Sequence, residues 1–312
     1  MFPSSESRVI GHIIFKVLVF ISRAIFFIAY IFRAIFLILP VDVEVLRMRS
    51  DDQHVTDYTS PIKISFVDDA TVNAIYKATD LELLDLMEEK LVLCGYDKED
   101  IIKTGSYLYV PGDEEIAVLA HVDTVFFRKP DRITVINGVW SASFDACNQW
   151  DGLGGDDRSG IYIIWRLLDL GHRPHVILLN HEESGCYGAR EFVKDVKECP
   201  GIKYMVEFDR HGGDEAVYYG CANKKFEKFV TRHGFKKNIG MFSDIGVIAP
   251  AWGVAAANLS IGVHEEHTVN ERVVVVEVES VIKKADEMLR HVPRKPFTYK
   301  QDKDYVPFFI DF

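Results

Sequence analysis

The sequence is poor in cysteine. Five residues among 312, at Cys94, Cys147, Cys186, Cys199 and Cys221, are odd in number, widely spaced and free of any CxxC pair. That excludes a disulfide framework and a thiolate zinc knot, and it fits a reducing, cytoplasmic compartment. Basic clusters are also missing outside the first fifty residues, and 36 Lys and Arg stand against 47 Asp and Glu for a net charge of −11. Such a balance argues against a nucleic-acid partner and leaves a small charged substrate open. No repeat or low-complexity tract occurs, and nothing in the pattern speaks to oligomeric state. The 48% hydrophobic content is ample for a core, in one large domain or two small ones.

Residues 1–40 differ from all that follows. From Val9 to Leu39 the chain is almost wholly apolar, interrupted by His12, Lys16, Arg23 and Arg33 and ended by Pro40. On a helix turning ~100° per residue, His12, Lys16 and Arg23 gather on one narrow stripe. Val17 to Leu39 is long enough to span a bilayer, with Arg23 and Arg33 off-centre where they can snorkel. The scattered cations and the lack of a small-x-small site do not suit a cleaved signal peptide. The expectation is a membrane-associated helix over residues 8–39, the competing one a helix packed on the domain or on an oligomer.

Residues 41–60 are polar and mixed in charge, as a linker is. The folded domain is expected over 61–291, followed by an aromatic and charged tail, 292–312, that either lies against the domain or binds a partner. Within the domain the pattern predicts one helix over Thr71 to Leu93 and strands at Tyr107–Val110, Ile116–Ala120 and Ile133–Trp140, the last with an Asn137-Gly138 turn signal. A helix from Arg158 to Leu170, a strand His175–Asn180, a helix Tyr187–Val196 and a strand Lys203–Phe208 follow. Ala216–Tyr219 and Ala257–Ile261 read as strands, Asn223–Arg232 and Val274–His291 as helices. Alternating strands and helices argue for an α/β domain.

The polar motifs sit where these elements meet: AHVDTV after the strand IAVLA, GLGGDDRSG at a helix start, HEESGCYGA after VILLN, EFDRHG after YMV, and GVHEEHTVNE near the end. The C-terminal edge of strands in an open α/β sheet is where sites assemble. Taken alone, the acidic loop would only cap its helix through Asp157. Five clusters in one order call for more. Imidazole with carboxylate and no thiolate suits zinc in a hydrolytic site, with manganese or cobalt as substitutes. Asp123, two residues after His121, is placed to accept that ring's N–H and fix its tautomer. Glu207 and Asp209 point to the same side of a strand, so geometry does not choose between them, and His264 competes with His267.

These motifs resemble the successive metal-site motifs of the co-catalytic di-zinc exopeptidases, the group with peptidase T, carboxypeptidase and acylase relatives and single-domain aminopeptidases, over roughly Leu81 to His291. The resemblance implies that His121 and Asp209 bind one zinc, Glu183 and His267 the second, that Asp156 bridges both, and that Glu182 is the general base. It also implies a cis peptide between Asp156 and Asp157. It selects Asp209 by position and His267 because Glu271 follows four residues later. The fold expected is a three-layer α/β sandwich with a mixed, largely parallel central sheet flanked by helices. A separate lid domain is not expected, since core elements already use the interval from Glu183 to His267. With the lid goes any oxyanion-stabilising histidine it supplies, for which Tyr218, Tyr219 or His211 could compensate. His181 departs from the Asp or Thr usual before the base.

The implied function is a zinc-dependent metallopeptidase that hydrolyses a terminal peptide or related amide bond by metal-activated water, an aminopeptidase first. A carboxypeptidase or N-acyl amino-acid deacylase shares the same metals. A membrane-tethered binding protein without turnover is the rival from another class, and the intact Glu182 speaks against it.

Overall fold

The structure, a computed structural model, describes residues 65–145 and 151–305. Its strands are β1 (Ser65–Phe66), β2 (Ile102–Lys103), β3 (Tyr107–Val110), β4 (Ile116–His121), β5 (Arg132–Ile136), β6 (Val139–Ser143), β7 (His175–Leu179), β8 (Tyr204–Arg210), β9 (Glu215–Val217), β10 (Lys236–Lys237), β11 (Ala256–Ser260), β12 (Val263–His264) and β13 (Arg272–Val274). The helices are α1 (Ala70–Lys77), α2 (Asp80–Leu93), α3 (Gly155–Asp169), α4 (Tyr187–Asp195), α5 (Lys224–Arg232), α6 (Ile245–Trp252) and α7 (Val275–Arg290).

An eight-stranded sheet in the order β10-β9-β11-β8-β4-β7-β3-β2 forms the middle layer. Its centre, β11-β8-β4-β7, is parallel, and antiparallel pairs flank it. Every residue of β4 is buried, which explains its unbroken apolar sequence: side chains alternate between two covered faces. Ile116, Val118 and Ala120 join the cluster under α1, α2, α3, α5 and α7, whereas Ala117 and Leu119 join that under α4 and α6. The three layers and the mixed, largely parallel sheet agree with the expected fold. A smaller antiparallel sheet, β1-β5-β6-β13-β12, packs beside α3 through Ile133, Trp140, Val263 and Val273.

Three local expectations need correction. The single helix over Thr71–Leu93 is two, because Ala78 is extended and Thr79 restarts the chain with a capping box closed by Glu82. Apolar spacing runs through the break, so periodicity alone does not reveal it. Ile133–Trp140 is a hairpin folded at Asn137-Gly138, both at positive φ, rather than one strand. Helix α6 was not foreseen at all, since Gly246 and Pro250 within it mask its pattern.

The tail lies against the domain as far as Tyr305: Phe297 donates from its N–H to Lys203 O and accepts from Ala255, and Ala222 donates to Lys300 O. The Phe297 ring packs on Phe226 and Phe229. The apolar segment 8–39 lies outside the described residues. Among the described residues no helix is long and apolar enough to cross a membrane.

Candidate metal centre

His121 ends β4, and its neighbours come from the ends of β7 and β8, the start of α3 and the loop between β12 and β13. His121 Nε2 lies 3.1 Å from Asp156 Oδ1 and 3.2 Å from Asp209 Oδ1. His267 Nε2 lies 3.0 Å from the other oxygen, Asp156 Oδ2, and 2.9 Å from Glu183 Oε1. One carboxylate thus separates two imidazole–carboxylate pairs, each facing one of its oxygens. The five residues singled out from the motifs converge, with Asp156 central. Their competitors do not: His264 pairs with Glu277 at 2.7 Å, and Glu207 is engaged by the Ser243 hydroxyl.

The adjacent aspartates divide two jobs. Asp157 is fully buried, and its Oδ1 accepts from Gly160 N–H at 2.8 Å while Oδ2 accepts from His121 N–H at 2.9 Å. It therefore caps the helix, as the simple reading of the acidic loop has it, and ties that helix to β4. The peptide between them is cis, and Asp156 turns toward the imidazoles. Gly160 is required here because an added Cβ would sit 2.1 Å from Phe208 O and 2.2 Å from Asp157 Oδ1.

Asp123 does more than orient a ring. Its backbone carbonyl is the hydrogen-bond partner of His121 Nδ1 at 3.1 Å, with Oδ1 3.3 Å from the same nitrogen; Oδ1 accepts from Glu182 N–H at 3.1 Å and Oδ2 from Glu183 N–H at 3.2 Å. It fixes the imidazole and the turn carrying both glutamates together. Buried Arg158, bonded to Val122 O and Asp80, supplies the nearby fixed positive charge.

The charge balance is uneven. Asp123, Asp156, Asp157, Glu182, Glu183, Glu207, Asp209 and Asp244 crowd two imidazoles, one guanidinium and the Lys129 amine. Burial, with Asp209 and Asp244 beside it, pushes Glu182 well above the usual carboxylate range. Burial and Asp156 raise Asp209 to about 6, and burial raises Asp244 to about 8. His121 is held well above its ordinary value: burial opposes its charge, but Asp123, Asp156 and Asp209 outweigh it. Asp156 and Glu183 lift His267 to about 11.

Such an excess of buried negative charge suits divalent cations. The donor set fits them in kind: nitrogen and oxygen ligands without sulfur, grouped as His121 with Asp156 and Glu183 and as His121 with Asp157 and Asp209. Ligand atoms on a tetrahedral cation with bonds of about 2.0 to 2.2 Å stand roughly 3.3 to 3.6 Å apart, and the N···O separations here, 2.9 to 3.2 Å, lie just inside that spacing. Glu183 Oε1 is buried and, though 2.9 Å from His267 Nε2, has no aligned hydrogen bond. Close approach without alignment is what two ligands of one cation show.

Sequence reasoning missed the support behind Asp209. Asn258, buried in β11, accepts from Asp209 N–H at 3.1 Å and donates to Asp209 Oδ2 at 2.9 Å, and it also reaches the Ser243 hydroxyl. A polar residue inside the apolar strand AANLS is the signal that could have found it. Asp244, fully buried with neither oxygen hydrogen-bonded, was likewise unforeseen. Of the three residues suggested for an oxyanion, Tyr218 is buried in the core against Phe226, Tyr219 reaches Asn258 at 3.4 Å, and His211 pairs with Glu266.

No protein-family model matches the chain, and no curated protein does. Solved structures do. The aminopeptidase PepT of Bacillus cereus aligns with a TM-score of 0.54 at 15% identity, over 71% of this chain and 96% of that one. A tripeptidase of Staphylococcus aureus gives 0.56 at 11% identity, over 74% and 100%. A TET aminopeptidase from a marine-sediment thaumarchaeote gives 0.51 at 12%, over 72% and 96%. With its mixed eight-stranded sheet between helices, the chain shares its fold with these three solved structures.

Proposed function

We propose that the chain is a metal-dependent aminopeptidase that takes a peptide with a free amino terminus and holds two zinc ions, with manganese or cobalt as substitutes. The observation that carries this reading is Asp156, whose two oxygens each face a separate histidine and carboxylate. His121, Asp209 and Asp156 would hold one cation, and His267, Glu183 and Asp156 the other. Cations so held lower the pKa of water and polarise a scissile carbonyl.

The remaining chemistry belongs to the chain's own groups. Glu182, buried beside these residues with its backbone fixed by Asp123, is the base that takes a proton from water and returns it to the leaving amine. Asp123 keeps the His121 ring in one orientation, and Asn258 does the same for Asp209.

The aminopeptidase direction draws support from two of the structures that share the fold, PepT and the thaumarchaeal TET enzyme, both aminopeptidases. A carboxypeptidase or an N-acyl amino-acid deacylase would use the same centre. Metal analysis of the purified protein, with a screen of free-amine, free-carboxylate and N-acyl substrates, tests the proposal. Two equivalents of metal and cleavage confined to free-amine peptides are expected; a protein that binds none, or cleaves only N-acyl substrates, would sink it.

A further inference from the structure

His267 is the weakest-held member of the centre by its surroundings. Its side chain is 47% exposed, against 11 to 12% for Asp156, Asp209 and Glu183. It sits in the loop between β12 and β13, where Glu265 (φ 54) and His267 (φ 61) both adopt left-handed backbone that L side chains rarely take. A loop of that kind keeps its shape only if the surroundings enforce it.

One side chain does so from inside the domain. Glu271 is 2% exposed, and its Oε2 accepts from Gly155 N–H at 2.7 Å. Its own N–H donates to Thr268 O at 3.0 Å, which closes the turn just after His267. The carboxylate thus fastens the loop carrying His267 to the backbone carrying Asp156, and the two side chains it brings together meet at 3.0 Å. Space at the joint is tailored: a Cβ on Gly155 would meet Val273 at 2.9 Å and Val263 at 3.0 Å. The other clamps on the loop, Glu265 with Arg272 and Glu266 with His211, lie nearer the surface.

We infer that Glu271 is a positioning residue for the second cation, acting through the loop that carries His267 and touching neither metal nor substrate. The inference rests on the two-cation reading above. It implies that reach matters more than charge. Glu271→Asp keeps the charge but falls one methylene short of the Gly155 N–H, whereas Glu271→Gln keeps an acceptor at the same distance.

Zinc affinity of each equivalent, measured by chelator competition on the full chain, tests this, with melting temperature recorded alongside. Glu271→Asp should retain the first equivalent at wild-type affinity and bind the second at least tenfold more weakly, as loss of a ligand's outer support does. Glu271→Gln should stay within a few-fold of wild type at both, and Glu265→Gln, at the exposed clamp, should change neither. Both equivalents at wild-type affinity in a folded Glu271→Asp protein would overturn the inference and leave the two-cation reading standing. Equal weakening of both equivalents would also overturn it, by making Glu271 a support of the whole domain. A wild-type chain that binds no zinc would sink both together.

Discussion

Glu182 and Glu183 are adjacent in sequence, yet the structure gives them different surroundings, and substituting each in turn separates turnover from metal binding. Glu182 is 6% exposed, with its Oε1 accepting from the weak thiol donor of Cys186 at 3.8 Å, whereas Glu183 Oε1 lies 2.9 Å from His267 Nε2. Glu182→Gln keeps size and polarity but cannot accept a proton. Loss of a general base costs ~10² to 10⁴ in rate, which at 1.36 kcal/mol per decade is about 3 to 5.5 kcal/mol of barrier. Its metal content should stay at the wild-type value. Glu183→Gln should lose roughly one equivalent as well as activity, because an amide oxygen is a poorer donor than a carboxylate. The assay is kcat on a free-amine peptide with bound zinc counted by atomic emission on the same samples. Metal lost from the Glu182 variant and kept by the Glu183 variant would reverse the roles. Hydrolysis unaffected by either substitution would refute the mechanism.

Chelation should lower the melting temperature, and zinc restored at about a hundred times its Kd should return about 2.7 kcal/mol for each site filled; identical melts with and without chelator would count against a metal centre. His172 tests a pH effect remote from that centre: burial lowers its pKa, but its bonds to Glu114 at 3.1 Å and Asp286 at 2.8 Å outweigh this and hold it above the ordinary value. A histidine raised on folding stabilises most below its unfolded pKa of about 6.5 and loses that contribution as pH rises through the folded value. The stability of wild type over His172→Gln, from urea midpoints, should therefore be largest near pH 6 and shrink toward pH 9; a gap that widened with pH would refute the assignment. Phe192→Ala should cost about 3 to 5 kcal/mol, since the ring is fully buried among Tyr107, Tyr109 and Trp252, and a loss under 1 kcal/mol in denaturant melts would contradict that packing.

What the sequence disclosed, and what it hid, follow from the range of the interactions. His121, Asp156, Glu182, Glu183, Asp209 and His267 were singled out by a resemblance carried on short motifs at strand and helix ends, and the fold brings those motif ends together. The strand IAVLA was legible because burial on both faces leaves an unbroken apolar run. Strand geometry alone did not choose Asp209 over Glu207, since both face one way; the resemblance did, and the structure puts Asp209 beside His121 while the Ser243 hydroxyl engages Glu207. The break at Thr79 was hidden because its capping box interrupts the backbone without interrupting the apolar stripe. The antiparallel β1-β5-β6-β13-β12 sheet was hidden because it joins segments far apart in the chain, several only two or three residues long.

The parallel order of β7, β4 and β8 has a kinetic consequence. Parallel neighbours cannot be joined by a tight turn, so His121, Glu183 and Asp209 are brought together only after intervening helices have formed and crossed over. His267, from a loop near the end of the domain, joins them from still further along the chain. No local fragment can preassemble the ligand set, and contacts that distant are slow to close. A cation would then find its full site only near the end of folding and would act mainly by slowing unfolding, leaving the refolding rate close to that of the metal-free chain. Persistence, more than speed of assembly, is what this topology lets a metal confer.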